Sequence, residues 1–174
     1  MSKTSHVMRA AVAGAVLVAS GGAFAEGTFT PELGFGQTSG KHVLQGDGTQ
    51  RSRDIAFTAA FGYELENGYG ARVMAIGDFN IQTDFGPNTY RTFDNFVGVQ
   101  ATGKVALASA LNLRGGLGIG RSNLVGDGHE LVTDGIASVG LQWHPASHYA
   151  MEVRFDYLTK TGTRLIGLQF QVPF

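Results

Sequence analysis

The sequence has no cysteine and only 4 prolines among its 174 residues. Without cysteine, disulfides and thiolate metal sites are excluded, and a closed ladder of backbone hydrogen bonds would be one other way to hold the chain together. The chain contains 26 glycines but few prolines, and this composition is not typical of a disordered chain. The 13 basic and 14 acidic residues nearly balance, so the basic excess that nucleic-acid binding needs is also missing.

A long hydrophobic run is absent as well. A membrane-spanning helix needs roughly 20 successive apolar residues, and no segment approaches this, so any membrane crossing has to be made by strands. Lys3 and Arg9 give the N-terminus a basic start, and a short apolar run over 10–19 precedes a small-x-small cleavage site at 23–25. We predict a signal peptide over residues 1–25, since the apolar run is too short for a membrane anchor.

The clearest pattern in the rest of the chain is alternation near its end. Over 149–157 apolar residues alternate with polar ones, which places Glu152, Arg154 and Asp156 together on the polar face of a strand. The alternation resumes over 165–174. Six earlier segments alternate in the same way, so we predict eight strands. These six segments are 29–37, 54–64, 69–80, 92–105, 111–121 and 130–143.

The predicted connections alternate in length. Short ones follow the second, fourth and sixth strands, and the first of them contains Asn67-Gly68, which suits a tight hairpin turn. The other two short connections are 106–110 and 144–147. Longer polar connections follow the first, third and fifth strands, and the last connection, 158–163, is short again. We predict surface loops over 38–53, 82–91 and 122–128.

A few positions interrupt the polar inner face. We predict that Met74 and Ile76 pack inside a narrow lumen. On the fourth strand Phe93 is expected to face outward, whereas Phe96 falls on the polar side. The glycine-rich run over 115–120 lacks the following helix of a phosphate-binding loop, so we interpret it as small residues on a strongly curved sheet.

The final residues point to a known class of protein. The sequence stops on Phe174, with Phe170 and Val172 on the same apolar face, and this ending resembles the C-terminal assembly signal of bacterial outer-membrane barrels. Strand number, connection lengths and the segments 113–120 and 151–157 are similar to the small eight-stranded outer-membrane family. That family includes the OmpA membrane domain, OmpX, and the attachment and invasion proteins.

This resemblance covers residues 26–174 and implies an all-β fold, an eight-stranded antiparallel up-and-down transmembrane β-barrel in the bacterial outer membrane. The partners it implies are outer-membrane lipid and lipopolysaccharide, the barrel-assembly machinery, periplasmic chaperones, and a host or surface ligand. It implies no cofactor, metal site, nucleic acid or peptidoglycan-binding domain, and the protein is expected to be a monomer. Lys41, Arg51 and Arg53 are candidate contacts for lipopolysaccharide phosphates, with an ordinary solvated loop as the alternative.

Charged residues on the inner faces predict an ion-paired lumen. An eight-stranded barrel has room for side chains and little else, so inward charges have to pair and plug it. Arg154 is expected to pair with Glu152 or Asp156, and Glu64 and Asp134 are further inward carboxylates. A small pore with a proton or ion path through the same charges is the alternative. The predicted ion-pair core is Glu32, Arg72, Asp78, Lys104, Arg114, Glu152, Arg154 and Asp156.

The favoured function is a non-enzymatic role in envelope structure or surface attachment. A lipid A-modifying enzyme is an alternative, for which Ser147, His148 and Glu152 are the candidate nucleophile, base and orienting acid. Ser147 lies in a short turn on the expected periplasmic side, and the His-x-Ser motif of lipid A deacylases is absent, so this enzyme is disfavoured. A soluble periplasmic ligand-binding barrel is a further alternative, and it would need a polar outer face.

Overall fold

A computed structural model describes residues 27–44, 49–79, 90–125, 129–146 and 148–174, so the predicted signal peptide lies outside the described residues. Each of eight strands is antiparallel to the next, and β1 pairs with β8 to close a barrel. Within these ranges no helix has the length and hydropathy of a membrane span. The strands are β1 (Gly27–Leu44), β2 (Thr49–Leu65), β3 (Tyr69–Phe79), β4 (Tyr90–Ala108), β5 (Leu111–Val125), β6 (His129–Ala146), β7 (Tyr149–Leu158) and β8 (Arg164–Gln171).

The predicted eight-stranded antiparallel up-and-down barrel is therefore confirmed. The connections after β2, β4 and β6 lie at one end, which we call the turn end, and those after β1, β3, β5 and β7 lie at the other, the loop end. At the turn end Gly68 has a φ of 80°, a conformation that glycine adopts without the steric cost of a Cβ atom.

Strands at the loop end are longer than predicted. The prediction of a loop over 38–53 was wrong in its length. Thr38 pairs with Asp54, and the ladder continues to Val43 opposite Thr49. A ladder of backbone hydrogen bonds forms whatever the side chains are, so it can continue where the sequence has no apolar alternation. Strand also occupies residues 90–91, 106–108, 122–125 and 144–146, which were predicted as connections, and residues 82–89 and 126–128 lie outside the described residues.

The two faces of the barrel are inverted relative to those of a soluble protein. Large apolar side chains are exposed on the outer face, including Leu117 at 71% and Leu33 at 66%. Charged side chains are buried inside, including Glu32, Arg154 and Asp156 at 1% each. A soluble ligand-binding barrel requires a polar outer face, so the structure does not fit that alternative. Aromatic side chains exposed at the turn end are Tyr69, Trp143, Tyr149 and Phe174.

A β-bulge on β4 changes the direction of Phe93. The pairing of β4 with β5 shifts register between Phe93 and Asn95, and both Phe93 and Phe96 are buried, at 8% and 0% exposure. The prediction that Phe93 faces outward was wrong, because the extra residue in a bulge interrupts the alternation of the strand. Met74 and Ile76, each 2% exposed, lie in the same buried cluster.

Candidate functional site

Glu32 on β1 is the shared partner of three buried arginines. Arg72 Nη1 lies 3.0 Å from Glu32 Oε2, and Arg154 Nη1 lies 3.2 Å from the same oxygen. Arg114 Nη1 lies 3.1 Å from Glu32 Oε1. The arginines come from β3, β7 and β5, so a single carboxylate connects four strands. Burial of these charges is tolerable only because each has a partner.

Two further carboxylates balance this cluster. Glu152 Oε2 lies 3.0 Å from Arg114 Nη1 and accepts a hydrogen bond from Gln171 Nε2 at 2.6 Å. Asp156 Oδ2 lies 2.9 Å from Arg154 Nε. With three guanidinium groups and three carboxylates, the cluster has no net formal charge. We call it the ion-pair network, and its members are Glu32, Arg72, Arg114, Glu152, Arg154 and Asp156.

The other two members of the predicted core lie apart from this network. Lys104 pairs with Glu64, and both side chains are partly exposed. Asp78 Oδ2 accepts a hydrogen bond from Thr38 Oγ1 at 3.1 Å. Arg154 pairs with Asp156, one of its two expected partners, whereas Glu152 pairs with Arg114.

Amide side chains extend the ion-pair network. Gln100 Oε1 accepts a hydrogen bond from Arg72 Nε at 3.0 Å, and Gln100 Nε2 donates to Ser138 Oγ at 2.7 Å. Ser138 also donates to Asp156. Through Gln100 the network reaches β4 and β6, and through Gln171 it reaches β8. These neutral groups satisfy polar atoms that ion pairs alone would leave unpaired in the interior.

Inward glycines make room for the long side chains of the network. A Cβ atom at Gly116 would lie 2.6 Å from Gln100 Cδ, and one at Gly140 would lie 2.8 Å from Glu152 Cδ. Gly120 makes room for an aromatic ring in the same way, because a Cβ atom at Gly120 would lie 2.6 Å from Phe96 Cζ. The glycine-rich run on β5 thus provides space for side chains of β4, in addition to the sheet curvature that the sequence suggested.

A second set of inward side chains is apolar and lies nearer the loop end. On each strand that contributes to both sets, the apolar residue is closer to the loop end than the polar one; on β3, for example, Met74 and Ile76 follow Arg72 toward the loops. We call this set the apolar layer. Its members are Ala56, Met74, Ile76, Phe93, Phe96, Ile136, Leu158 and Leu165.

Asp134 holds the connection between β7 and β8. Its carboxylate accepts hydrogen bonds from the backbone N–H groups of Lys160, at 2.6 Å, and Thr161, at 3.2 Å. It also accepts from Thr161 Oγ1 at 2.9 Å and Ser122 Oγ at 3.0 Å. The sequence predicts that Asp134 lies inside the barrel but does not predict this role, because the residues of the connection that donate to it lie 26 and 27 positions away.

Replacing Asp134 with asparagine is expected to loosen this connection. The uncharged amide loses the charge-assisted bonds, each of which contributes roughly 1.5–3 kcal/mol. Hydrogen exchange at the Lys160 and Thr161 amides should accelerate by about tenfold or more. Glu130→Gln, which neutralises an exposed carboxylate on the same strand, is the control and should leave both rates unchanged. Equal rates in the Asp134 variant and the unmodified protein would contradict the role assigned to Asp134.

The remaining residues singled out by sequence lie on the outer face or outside the described side chains. Phe170, Val172 and Phe174 are exposed on the outer face, and the Phe174 and Phe29 backbones exchange two hydrogen bonds of 2.9 and 3.0 Å where β8 meets β1. The side chains of Lys41, Arg51 and Arg53 lie outside the description; on the backbone, Lys41 pairs with Arg51, and Arg53 pairs with Ser39.

The candidate residues of the enzyme alternative do not form a described site. Ser147 lies outside the described residues, and His148 is exposed at the turn end. The Glu152 carboxylate is 1% exposed and bonded to Arg114 and Gln171. Among the described residues, no group of three or more His, Asp and Glu side chains is arranged to hold a metal ion.

Comparison with known proteins identifies the fold. No protein-family model and no curated protein matches the sequence. Among solved structures, Ail, the attachment invasion locus protein of Yersinia pestis, has 17% identity and a TM-score of 0.54 over 86% of this chain and 99% of that chain. Neisserial surface protein A has 15% identity and a TM-score of 0.58, over 86% and 100% of the two chains.

A third neighbour is the N-terminal β-barrel domain of Pseudomonas aeruginosa OprF, with 13% identity, a TM-score of 0.59, and coverage of 84% of this chain and 97% of that chain. The structural match to this barrel covers nearly the full length of all three proteins. At such low sequence identities, structural similarity shows a shared fold and does not show shared ligands. The chain has the fold of the small eight-stranded outer-membrane β-barrels, the family that its sequence resembles.

Proposed function

We propose that this protein is a non-enzymatic, integral outer-membrane barrel with a closed lumen and a role in envelope structure or surface attachment. The inverted burial carries this proposal: exposed leucines such as Leu117 and Leu33 need lipid, while the ion-pair network occupies the interior. Closed barrels satisfy every backbone group within hydrocarbon, as a spanning structure must. The paired, neutral network supports a structural lumen in preference to a pore.

Export and assembly follow from the same proposal. The signal peptide over residues 1–25 directs the chain out of the cytoplasm, and chaperones and the barrel-assembly machinery insert it as a monomer. Phe170, Val172 and Phe174 serve as the assembly signal, and their exposed positions beside β1 leave them accessible to that machinery. Outer-membrane lipid surrounds the apolar outer face, and lipopolysaccharide meets the loop end.

Cell fractionation and lipid A mass spectrometry test this proposal directly. The protein should appear in the outer-membrane fraction and migrate differently on gels before and after boiling, as a folded barrel does. Lipid A from overproducing cells should match that of a vector control. A lost or added acyl chain would favour the enzyme alternative, and Ser147, His148 and Glu152 would then be substituted first.

The surface-attachment role can be tested as binding to an acidic polymer. Ail was crystallised in complex with the heparin analogue sucrose octasulfate, which supports a search for sulfate or phosphate binding at the loop end. Lys41, Arg51 and Arg53 are the proposed contacts, because guanidinium and ammonium groups bind such anions.

Neutralising these three residues to glutamine should weaken binding to immobilised heparin or lipopolysaccharide by about tenfold or more, since one lost charge-assisted contact is worth about 1.4 kcal/mol or more. The matched control neutralises three exposed cations on other strands and connections toward the same end, Arg121, Lys160 and Arg164, and should change binding by no more than about twofold. Equal losses in the two triple variants would mean that net charge alone drives binding.

A further inference from the structure

The interior of the barrel contains two chemically distinct layers in series. The ion-pair network occupies the part nearer the turn end, and the apolar layer occupies the part nearer the loop end. A solute crossing the barrel along its axis therefore has to pass both. We propose that the apolar layer is the permeability barrier of the lumen and that the ion-pair network mainly holds the strands together. This inference rests on the proposed function of a closed membrane barrel.

The members of the apolar layer form one buried cluster. Six of the eight strands supply its members, and each member is at most 8% exposed. Phe96, at 0% exposure, reaches across to β5, where Gly120 leaves space for its ring. At Gly120 the space inside β5 is therefore filled by an aromatic ring from β4, while the next inward residue of β5, Ser122, is buried and donates to Asp134.

Such a layer resists water and ions for a simple reason. A buried water needs two to four polar partners, and apolar cavities large enough for water stay dry. An ion that enters must also lose its hydration shell without replacement, which is how hydrophobic constrictions close channels. The side chains of this layer are aliphatic and aromatic. The buried hydroxyl groups beside it, Thr58 opposite Ile76 and Ser122 opposite Phe96, already donate to Gln169 and Asp134.

The ion-pair network has the opposite chemistry. Its carboxylates, guanidinium groups and amides are the kinds of group that replace hydration, and Arg154 Nη2 and Gln169 Nε2 are buried donors without an acceptor among the described residues. If water enters this region, it finds polar partners. Removing part of the network should therefore hydrate it without opening the barrel, as long as the apolar layer remains intact.

Potassium flux from liposomes separates the two layers. The network variant Glu32→Gln with Arg72→Gln removes one charge of each sign and leaves the other two arginines paired with carboxylates. It should release potassium as slowly as the unmodified protein. Adding Met74→Ser and Phe96→Ser to this variant should raise the flux by about tenfold or more, because hydroxyl groups can hold water across the layer.

A matched variant distinguishes polarity from space. Met74→Ala with Phe96→Ala, in the same network background, opens nearly the same volume without hydroxyl groups and should remain closed. Boiled and unboiled gel mobility identifies folded samples. Where the serine variants do not fold, Ile76→Thr with Ile136→Thr compared with the corresponding valine changes repeats the test with nearly isosteric side chains, and only the threonine variant should leak.

Any other pattern of potassium flux would contradict the apolar barrier or the closed lumen. Flux through the network variant alone, or no flux through any folded variant with a polar layer, would overturn the apolar barrier. Equal flux through the serine and alanine variants would assign closure to packing volume and overturn a barrier based on dehydration. Rapid flux through the unmodified protein would overturn the proposed closed lumen itself, which is a separate failure.

Discussion

Replacing Glu32 with glutamine is expected to lower the free energy of unfolding by about 3–5 kcal/mol, the range found when one partner of a buried ion pair is removed. The change keeps the size of the side chain but leaves three buried guanidinium groups with two carboxylates. Arg72 is most affected, because Glu32 is the carboxylate it contacts. Urea unfolding in lipid vesicles, followed by fluorescence of Trp143, the single tryptophan, measures the change.

Glu64→Gln provides the matched control. Glu64 also pairs with a cation inside the barrel, Lys104, but the two side chains are 20% and 27% exposed. Partly hydrated ion pairs contribute about 1 kcal/mol or less, so this variant should unfold close to the unmodified protein. Similar losses for the two variants would mean that Glu32 contributes no more than an ordinary partly exposed carboxylate, contrary to its position among three arginines.

The second large effect is expected from an added methyl group. In Gly120→Ala the new Cβ would lie 2.6 Å from Phe96 Cζ and 2.7 Å from the Gly98 Cα on the neighbouring strand. Phe96 is fully buried, and the Gly98 backbone belongs to the ladder between β4 and β5. Overpacking of this kind costs about 1–3 kcal/mol, and the same urea titration measures it.

Gly115→Ala, on the same strand, is the control because its Cβ would point to the outer face. The nearest atom there is the Ser138 carbonyl oxygen at 3.8 Å, an ordinary van der Waals distance. This variant should be neutral or slightly stabilising, since glycine weakens a strand by its backbone entropy. If both alanine variants unfold alike, the inward glycines are not required for the packing of Phe96.

The sequence predicts the direction of most side chains because alternation is a local property. Glu152, Arg154 and Asp156 are two residues apart, so a strand necessarily places them on one face. Their partners are not predictable in the same way. Glu32 contacts arginines 40, 82 and 122 residues away, and which of them meet depends on strand register and tilt around the closed barrel.

Local irregularities account for the errors. Alternation places Phe93 outside, but the bulge before Asn95 is not visible in the pattern of residue types, and the phenylalanine is buried. The polar residues between Thr38 and Leu44 continue β1 although their composition is typical of a loop. In both places backbone pairing determines the structure, and the sequence carries no periodic signal of that pairing.

The distribution of the ion-pair network along the chain also constrains how the protein reaches its membrane. Glu32 belongs to the first strand, while Arg154 and Asp156 belong to the seventh. Strand-by-strand entry would carry uncompensated charges into hydrocarbon, at a cost of roughly 2.5–3.5 kcal/mol each even on the lower scales. Glu32 and Arg72 balance once β3 has joined β1, but Arg114 on β5 adds a positive charge that is compensated only when β7 brings Glu152. Folding and membrane insertion of this barrel are therefore expected to occur as one concerted event, with β1 and β7 brought together before the lipid closes around them.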